Sequence, residues 1–203
     1  MIEAQIVRPT KAPNLPIAPA AYETSFMDDL MRTLRLYYNT IDSVIQQLVY
    51  GFKVDGAYYS TVTQPVAAAN GITLATYNGM TNEVGVRLDA VNTSRIIVER
   101  TGVFEVQVSA QVAKTSGTNS TLFMWLRVNG VNVNNTGSEI VATDANVRTV
   151  ATRVYRVVLT AEDYVEVVFS STNTTMRFLA VAPAGNVPQI PSITTTVTFV
   201  API

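Results

Sequence analysis

The sequence predicts a mainly β protein, an antiparallel sandwich preceded by one amphipathic helix and an extended proline-rich arm. Three observations carry that expectation. Between Val103 and Val112, Phe104, Val106, Val108, Ala110 and Val112 fall on one side and Glu105, Gln107, Ser109 and Gln111 on the other. A period of two marks a strand with one buried and one wetter face. From Lys53 onward, turn dipeptides punctuate short apolar runs with no helical period between them. Before Lys53 stands a single heptad pattern, the only long helical period in the chain.

Composition bounds the function. Hydrophobic residues make up 48% of the chain and charged residues 14%, so the chain is ordered and its surface is built from Thr, Ser, Asn and Gln. A net charge of -1 gives no electrostatic basis for binding nucleic acid. No apolar run approaches the ~18 residues of a bilayer span, and no basic-plus-apolar leader stands at Met1. Neither membrane insertion nor nucleic acid is therefore expected. His and Cys are both absent, which excludes Ser-His-Asp and Cys-His nucleophiles, the usual zinc ligands and any disulfide. The acid pairs Asp28-Asp29, Glu139 with Asp144, and Glu162-Asp163 suit a helix start and turns. They follow no Asp-x-Asp-x-Asp-Gly pattern for calcium. No catalytic residue, cofactor or metal ligand set is expected.

Residues 1–21 read as the arm. Pro9, Pro13, Pro16 and Pro19 recur every few residues, and each fixes φ and removes a donor, so the backbone is polyproline-like or irregular. Ile2, Ile6, Val7, Leu15 and Ile17 give it more apolar content than a solvated tail needs. Two readings follow, a floppy terminus or a docking arm laid over a neighbouring subunit.

Residues 22–50 contain the helix, from Thr24 or Ser25 to about Val49, with Ser25 as N-cap and Asp28 and Asp29 in the first turn. Met27, Leu34, Ile41 and Leu48 occupy a positions, and Leu30, Tyr37 and Val44 occupy d. Met31, Tyr38 and Ile45 widen the face at e. A lone helix of this length is marginal in water, so the seam must be covered. It packs either on the chain's own β domain or on other copies. The lack of a second helix favours self-association, and a bulky Tyr37 at d favours a parallel trimer.

Residues 51–203 form the β domain. Candidate strands are Ala57–Thr63, Ile72–Tyr77, Glu83–Leu88, Arg95–Glu99, Val103–Val112, Thr121–Asn129, Val131–Asn134, Glu139–Ala142, Val147–Leu159, Tyr164–Ser170, Thr175–Val181 and Ile193–Val200. Asn70-Gly71, Asn78-Gly79, Asn129-Gly130 and similar pairs separate them, as in a sandwich or jelly roll. In Val147–Leu159, Val150, Thr152, Val154 and Val158 face one way while Arg153, Tyr155 and Val157 face the other. Apolar residues on both faces imply a sheet face covered by a neighbouring subunit. Trp125 shares a face with Phe123 and Arg127, opposite Leu122, Met124, Leu126 and Val128. Burial and a sugar-stacking platform both remain open for it. Three loops are candidates for ligand contact at the distal end, marked by Lys114 and Asn119, by Asp144 and Asn146, and by Asn173.

The segments Gly102–Gln111, Trp125–Gly130, Leu159–Val167 and Pro188–Ile193, with their spacing, resemble the C-terminal β domain of virion structural proteins of tailed bacteriophages. That domain is similar in plan to the complement globular-head and tumour-necrosis-factor jelly rolls. The resemblance covers roughly Gly56 to Val200. The chain departs from the pattern at Glu162-Asp163, where the family usually carries Gly-Asp. The resemblance implies a homotrimer of jelly rolls behind an N-terminal coiled coil. It also implies a non-enzymatic head-decoration, head-fibre or tail-fibre/knob protein on the particle surface, assembled in the host cytoplasm. The partners so implied are capsid or portal/tail components. A host-surface glycan-binding module at a tail-fibre tip is the alternative.

Overall fold

A computed structural model describes residues 12–17, 21, 23–51, 54–117 and 119–203, with side chains for all of these except 46–51. Ile2, Ile6 and Val7 of the expected arm, and the side chain of Leu48, lie outside the described residues. The chain divides into two compact units, Met1–Lys53 and Val54–Ile203.

The first unit contains the helix α1 (Thr24–Gly51). Its start corrects one expectation. The Met27 N–H donates to the Glu23 carbonyl at 3.4 Å, so Glu23 supplies the first accepting carbonyl and Ser25 lies inside the helix. Asp28 and Asp29 consequently sit in the second turn, and the first turn holds no acid. Along the seam Leu30, Leu34, Tyr37, Ile41 and Val44 are half-buried, while Met27, Met31, Tyr38 and Ile45 are exposed.

The second unit is an antiparallel sandwich. Its strands are β1 (Asp55–Ser60), β2 (Gln64–Pro65), β3 (Thr73–Leu74), β4 (Gly79–Val84), β5 (Val86–Leu88), β6 (Ile96–Val98) and β7 (Gly102–Lys114). There follow β8 (Ser120–Val128), β9 (Val131–Asn132), β10 (Ser138–Ala142), β11 (Arg148–Leu159), β12 (Tyr164–Ser171), β13 (Met176–Phe178) and β14 (Ile193–Ala201). One sheet runs β11–β7–β14–β1–β4, with β13 beside the far end of β7 and β2 beside β13. The other runs β10–β8–β12–β6–β5, with β3 on β12 and β9 on β8. The chain passes repeatedly between the two sheets, as in a jelly roll.

Two expectations about strands are revised. The run Glu83–Leu88 is broken at Gly85, whose φ of 66° suits a residue without Cβ. The break lets β4 stay in the first sheet while β5 joins the second. The sequence reading also missed most of β4 and all of β2. Gln64 in β2 is buried because its side chain accepts from the Thr76 N–H at 2.8 Å and donates to the Thr76 carbonyl at 2.9 Å.

Even-numbered residues of β7, namely Phe104, Val106, Val108 and Ala110, share one core with Leu122, Met124 and Leu126 of β8 and Val165, Val167 and Phe169 of β12. Each large side chain so buried contributes about 1.5–3 kcal/mol. Phe169 of one sheet stacks on Phe178 of the other at 4.1 Å between centroids. A polar tie crosses this core: the hydroxyls of Tyr77 and Thr195, both buried, lie 2.7 Å apart.

Turn chemistry closes the ends. Asn129 and Gly130 both have positive φ, 51° and 77°, the signature of a type I′ hairpin between β8 and β9. Asp163 links this turn to the one before β12. Its Oδ1 accepts from Asn129 Nδ2 at 2.7 Å and its Oδ2 from the Thr160 N–H at 2.8 Å.

Candidate functional site

The outward face of the first sheet is dominated by Val, Thr, Ser and Gln, with charges at Glu105 and Arg156 and, towards its margins, at Asp55, Arg148 and Arg177. Unbroken register between β11 and β7 sets Val158 opposite Val103, Arg156 opposite Glu105, Val154 opposite Gln107, Thr152 opposite Ser109 and Val150 opposite Gln111. The face continues through Thr194, Thr196 and Thr198 of β14 to Ala57 and Tyr59 of β1. Among the described residues, its one cross-strand ion pair joins Arg156 Nε and Glu105 Oε2 at 3.3 Å. Thr152 donates to Ser109 Oγ at 3.3 Å. Val150, Val154 and Val158 leave 57, 53 and 62% of their surface open, whereas Tyr155 and Leu159 on the same strand point into the core. The alternation read from Val147–Leu159 thus places an apolar stripe on the outside of the first sheet's edge strand.

Helix α1 offers a second apolar surface in its own unit. No described residue of the helix is buried, and the a, d and e positions form one continuous apolar band. Of the arm residues, Leu15 and Ile17 are described, and both are exposed.

The three distal loops come together. They lie at the end of the sandwich opposite Asp55 and Ala201, where the chain enters and leaves it. The Asn146 N–H donates to the Lys114 carbonyl at 3.1 Å and the Thr115 N–H to the Thr175 carbonyl at 3.1 Å. Asn173 Nδ2 donates to Ser120 Oγ at 2.5 Å. Two of the candidate contact residues are not available as the sequence reading expected. Lys114 is the last residue of β7 and is only 2% exposed. Its Nζ turns back to the carbonyls of Ala142 and Thr143, at 3.3 and 3.5 Å. Asn173 is half-buried, and its Oδ1 also accepts from the N–H and hydroxyl of Thr175, so its carboxamide shapes the loop. Asn119, Asp144 and Asn146 are exposed.

On the second sheet, Trp125 points outward with Phe123 and Arg127, away from the core residues Leu122, Met124 and Leu126. Asn132 Oδ1 accepts from Trp125 Nε1 at 2.9 Å and from Arg127 Nε at 2.8 Å, which fixes both side chains. Phe123 is 38% exposed, and Glu139 lies directly across from it on β10.

The acids serve structure where they are placed. Glu162 pairs with Arg87 at 2.9 Å, Asp163 staples two turns, and Asp144 accepts from the Thr143 hydroxyl at 3.0 Å. Among the described residues, no three carboxylates cluster as metal ligands, and no helix is long and apolar enough to cross a membrane.

Fold and surface together define a mainly β antiparallel sandwich with one helix and an outward apolar stripe. No family model matches the sequence, and no curated protein matches it. Solved structures are similar to it, among them the following two. The Eiger TNF structure from S. frugiperda has 9% identity and a TM-score of 0.45, covering 74% of this chain and 94% of that one. The globular domain of zebrafish complement 1qA protein has 10% identity and a TM-score of 0.47, covering 74% of this chain and 100% of that one.

Proposed function

We propose that this chain is a non-enzymatic, self-associating structural protein of a virion, a homotrimeric head-decoration or fibre/knob protein. The observation that carries self-association is the outward face of the first sheet, where three open valines stand in a row beside Thr, Gln and Ser. Valines left open to water in a row, among neutral polar groups that need no counter-charge, suit contact with further protein. The helix seam supports the same reading, because an exposed apolar band on a lone helix gains stability when covered by copies of itself. The virion assignment rests on the sequence resemblance of Gly102–Gln111, Trp125–Gly130, Leu159–Val167 and Pro188–Ile193. In this reading the arm and helix attach to capsid, portal or tail components, and the sandwich projects outward.

Sedimentation equilibrium on the full chain tests the assembly. A trimer is expected, and a monomer at micromolar concentration overturns the reading. Leu34→Ser with Ile41→Ser weakens the oligomer if the seam lies between subunits, and lowers only folding stability if it packs within one chain. Labelled antibody on intact particles tests the placement independently.

One observation favours a second reading, a glycan-binding module. The Phe123–Trp125 pair stands outward on one strand with Arg127 and Asn132 beside it, the mixture of flat apolar and fixed polar groups that suits a sugar ring. A glycan array with no hit for the parent chain, or hits unchanged by Trp125→Ala, removes this reading.

A further inference from the structure

The chain holds the pairs Asn70-Gly71, Asn78-Gly79 and Asn129-Gly130, and the fold treats their side chains differently. An Asn-Gly pair can rearrange without an enzyme. The glycine nitrogen loses its proton to solvent base and bonds to the asparagine side-chain carbonyl carbon. Nδ2 takes a proton from solvent, the carbon–Nδ2 bond breaks and ammonia leaves, giving a five-membered imide. Water opens either imide bond to yield aspartate or isoaspartate. Glycine favours the step because no Cβ obstructs the approach. A carboxamide held by hydrogen bonds cannot swing onto the next nitrogen until those bonds break.

Asn78 is held on both sides: its Nδ2 donates to the Thr61 hydroxyl at 2.8 Å and its Oδ1 accepts from the Thr61 N–H at 2.9 Å. The ring of Tyr59 lies close over Gly79, the residue whose nitrogen would attack. Asn129 is held as firmly, with Nδ2 on Asp163 at 2.7 Å and Oδ1 accepting from the Tyr164 N–H at 3.0 Å. Asn70 differs. It is exposed at the end of the exposed run 67–70, has a φ of 57°, and no hydrogen bond described among these residues engages its carboxamide. Among the described residues it is held by backbone bonds alone, from its own N–H to the Ser171 carbonyl at 2.7 Å and from Gly71 N–H to the Ala68 carbonyl at 2.9 Å. Opening this one surface turn frees the reacting nitrogen, a low-cost local fluctuation.

We infer that Asn70 is a site of spontaneous conversion to aspartate and isoaspartate in the folded protein, while Asn78 and Asn129 are protected by the fold. The conversion adds one negative charge to a chain whose net charge is -1. It falls beside Ser171, the last residue of β12 and two before Asn173 of the third distal loop, so an ageing population becomes heterogeneous in charge at that end.

Peptide mapping by mass spectrometry of the full chain, after incubation in mildly alkaline buffer, tests this directly. Conversion at Asn70 should outpace Asn78 and Asn129 by at least about tenfold, the effect of two side-chain hydrogen bonds. In denaturant the three pairs should convert at similar rates, and Asn70→Gln should remove the modified species from the folded sample. Equal conversion at all three sites in the folded chain overturns the inference. So does an unreacted Asn70 in the folded chain when the denatured control reacts.

Discussion

Val154→Asp separates association from folding. Val154 lies outward on β11 opposite Gln107, between Val150 and Val158, and 53% of its surface is open in the single chain. Full burial of a valine side chain contributes roughly 1.5–3 kcal/mol, so covering the open half contributes about 1 kcal/mol. Three such residues give about 3 kcal/mol per protomer before any polar contact is counted. Aspartate at this position forfeits about 1 kcal/mol of that and adds a carboxylate whose unpaired desolvation costs several kcal/mol. Association should therefore weaken by at least about two orders of magnitude. The single chain should lose only about 1 kcal/mol, because an outward strand position senses little beyond strand propensity. Sedimentation velocity over a dilution series reads the first quantity, and a chemical melt monitored by circular dichroism reads the second. Val154→Thr keeps the shape and serves as control. Unchanged association of Val154→Asp at equal concentration refutes the assignment of this face as the contact surface.

Other expectations follow from buried ties and turns. Tyr77→Phe and Thr195→Val should each cost about 1–3 kcal/mol, since each leaves the other hydroxyl buried without its partner. The double variant should cost less than the sum, and additive urea-melt values would contradict the tie. Glu162 holds a φ of 73°, a conformation that costs an L-residue roughly 1–2 kcal/mol. Its ion pair with Arg87 is largely exposed and worth less than about 1 kcal/mol. Glu162→Gly should therefore raise the unfolding free energy by about 0.5 kcal/mol, and a clear loss would show that the pair outweighs the backbone term. The Asp89 carboxyl is held below the usual range by the N–H groups of Asn92 and Val91. Its folded value lies under the unfolded one, so its contribution is present above the ordinary carboxylate range and is lost as pH falls through the lowered value. An Asp89 side-chain NMR titration with an ordinary midpoint would contradict this.

Legibility in the sequence tracked how much of each element faced the core. β7 and β8 were readable because every second residue is inaccessible, and β11 because Tyr155 and Leu159 keep the inward parity. β4 was not, since Met80 and Val84 are exposed and the strand is held by its ladder to β1 at the sheet edge. β2 carries a proline and a glutamine whose burial depends on bonds to the distant Thr76, which no local pattern reports. The polarity of Lys114 points to a loop. Its parity carried the correct signal, since Phe104, Val106, Val108, Ala110 and Val112 are inward and Lys114 continues that series. The seam of α1 was evident from spacing, yet the helix begins one residue before Ser25, so Glu23 takes the cap position and Ser25 lies in the first turn. The outward stripe on β11 was visible as valines on both faces, whereas the distal cluster depended on main-chain bonds such as Asn146 to Lys114.

The pairing of β1 with β14 has a consequence for synthesis. Asp55 finds Thr198 and Ser60 finds Ile193 only once synthesis has reached β14. Until β14 arrives, β7 lacks its neighbour along Val103–Ala110, and the first sheet stays open at its centre. Contacts so remote in sequence slow folding towards the millisecond-to-second range typical of such topologies. Until β14 has been made, the first sheet stands unfinished with bare strand edges, and Ile193–Ala201 acts as the latch that ends its exposure to aggregation.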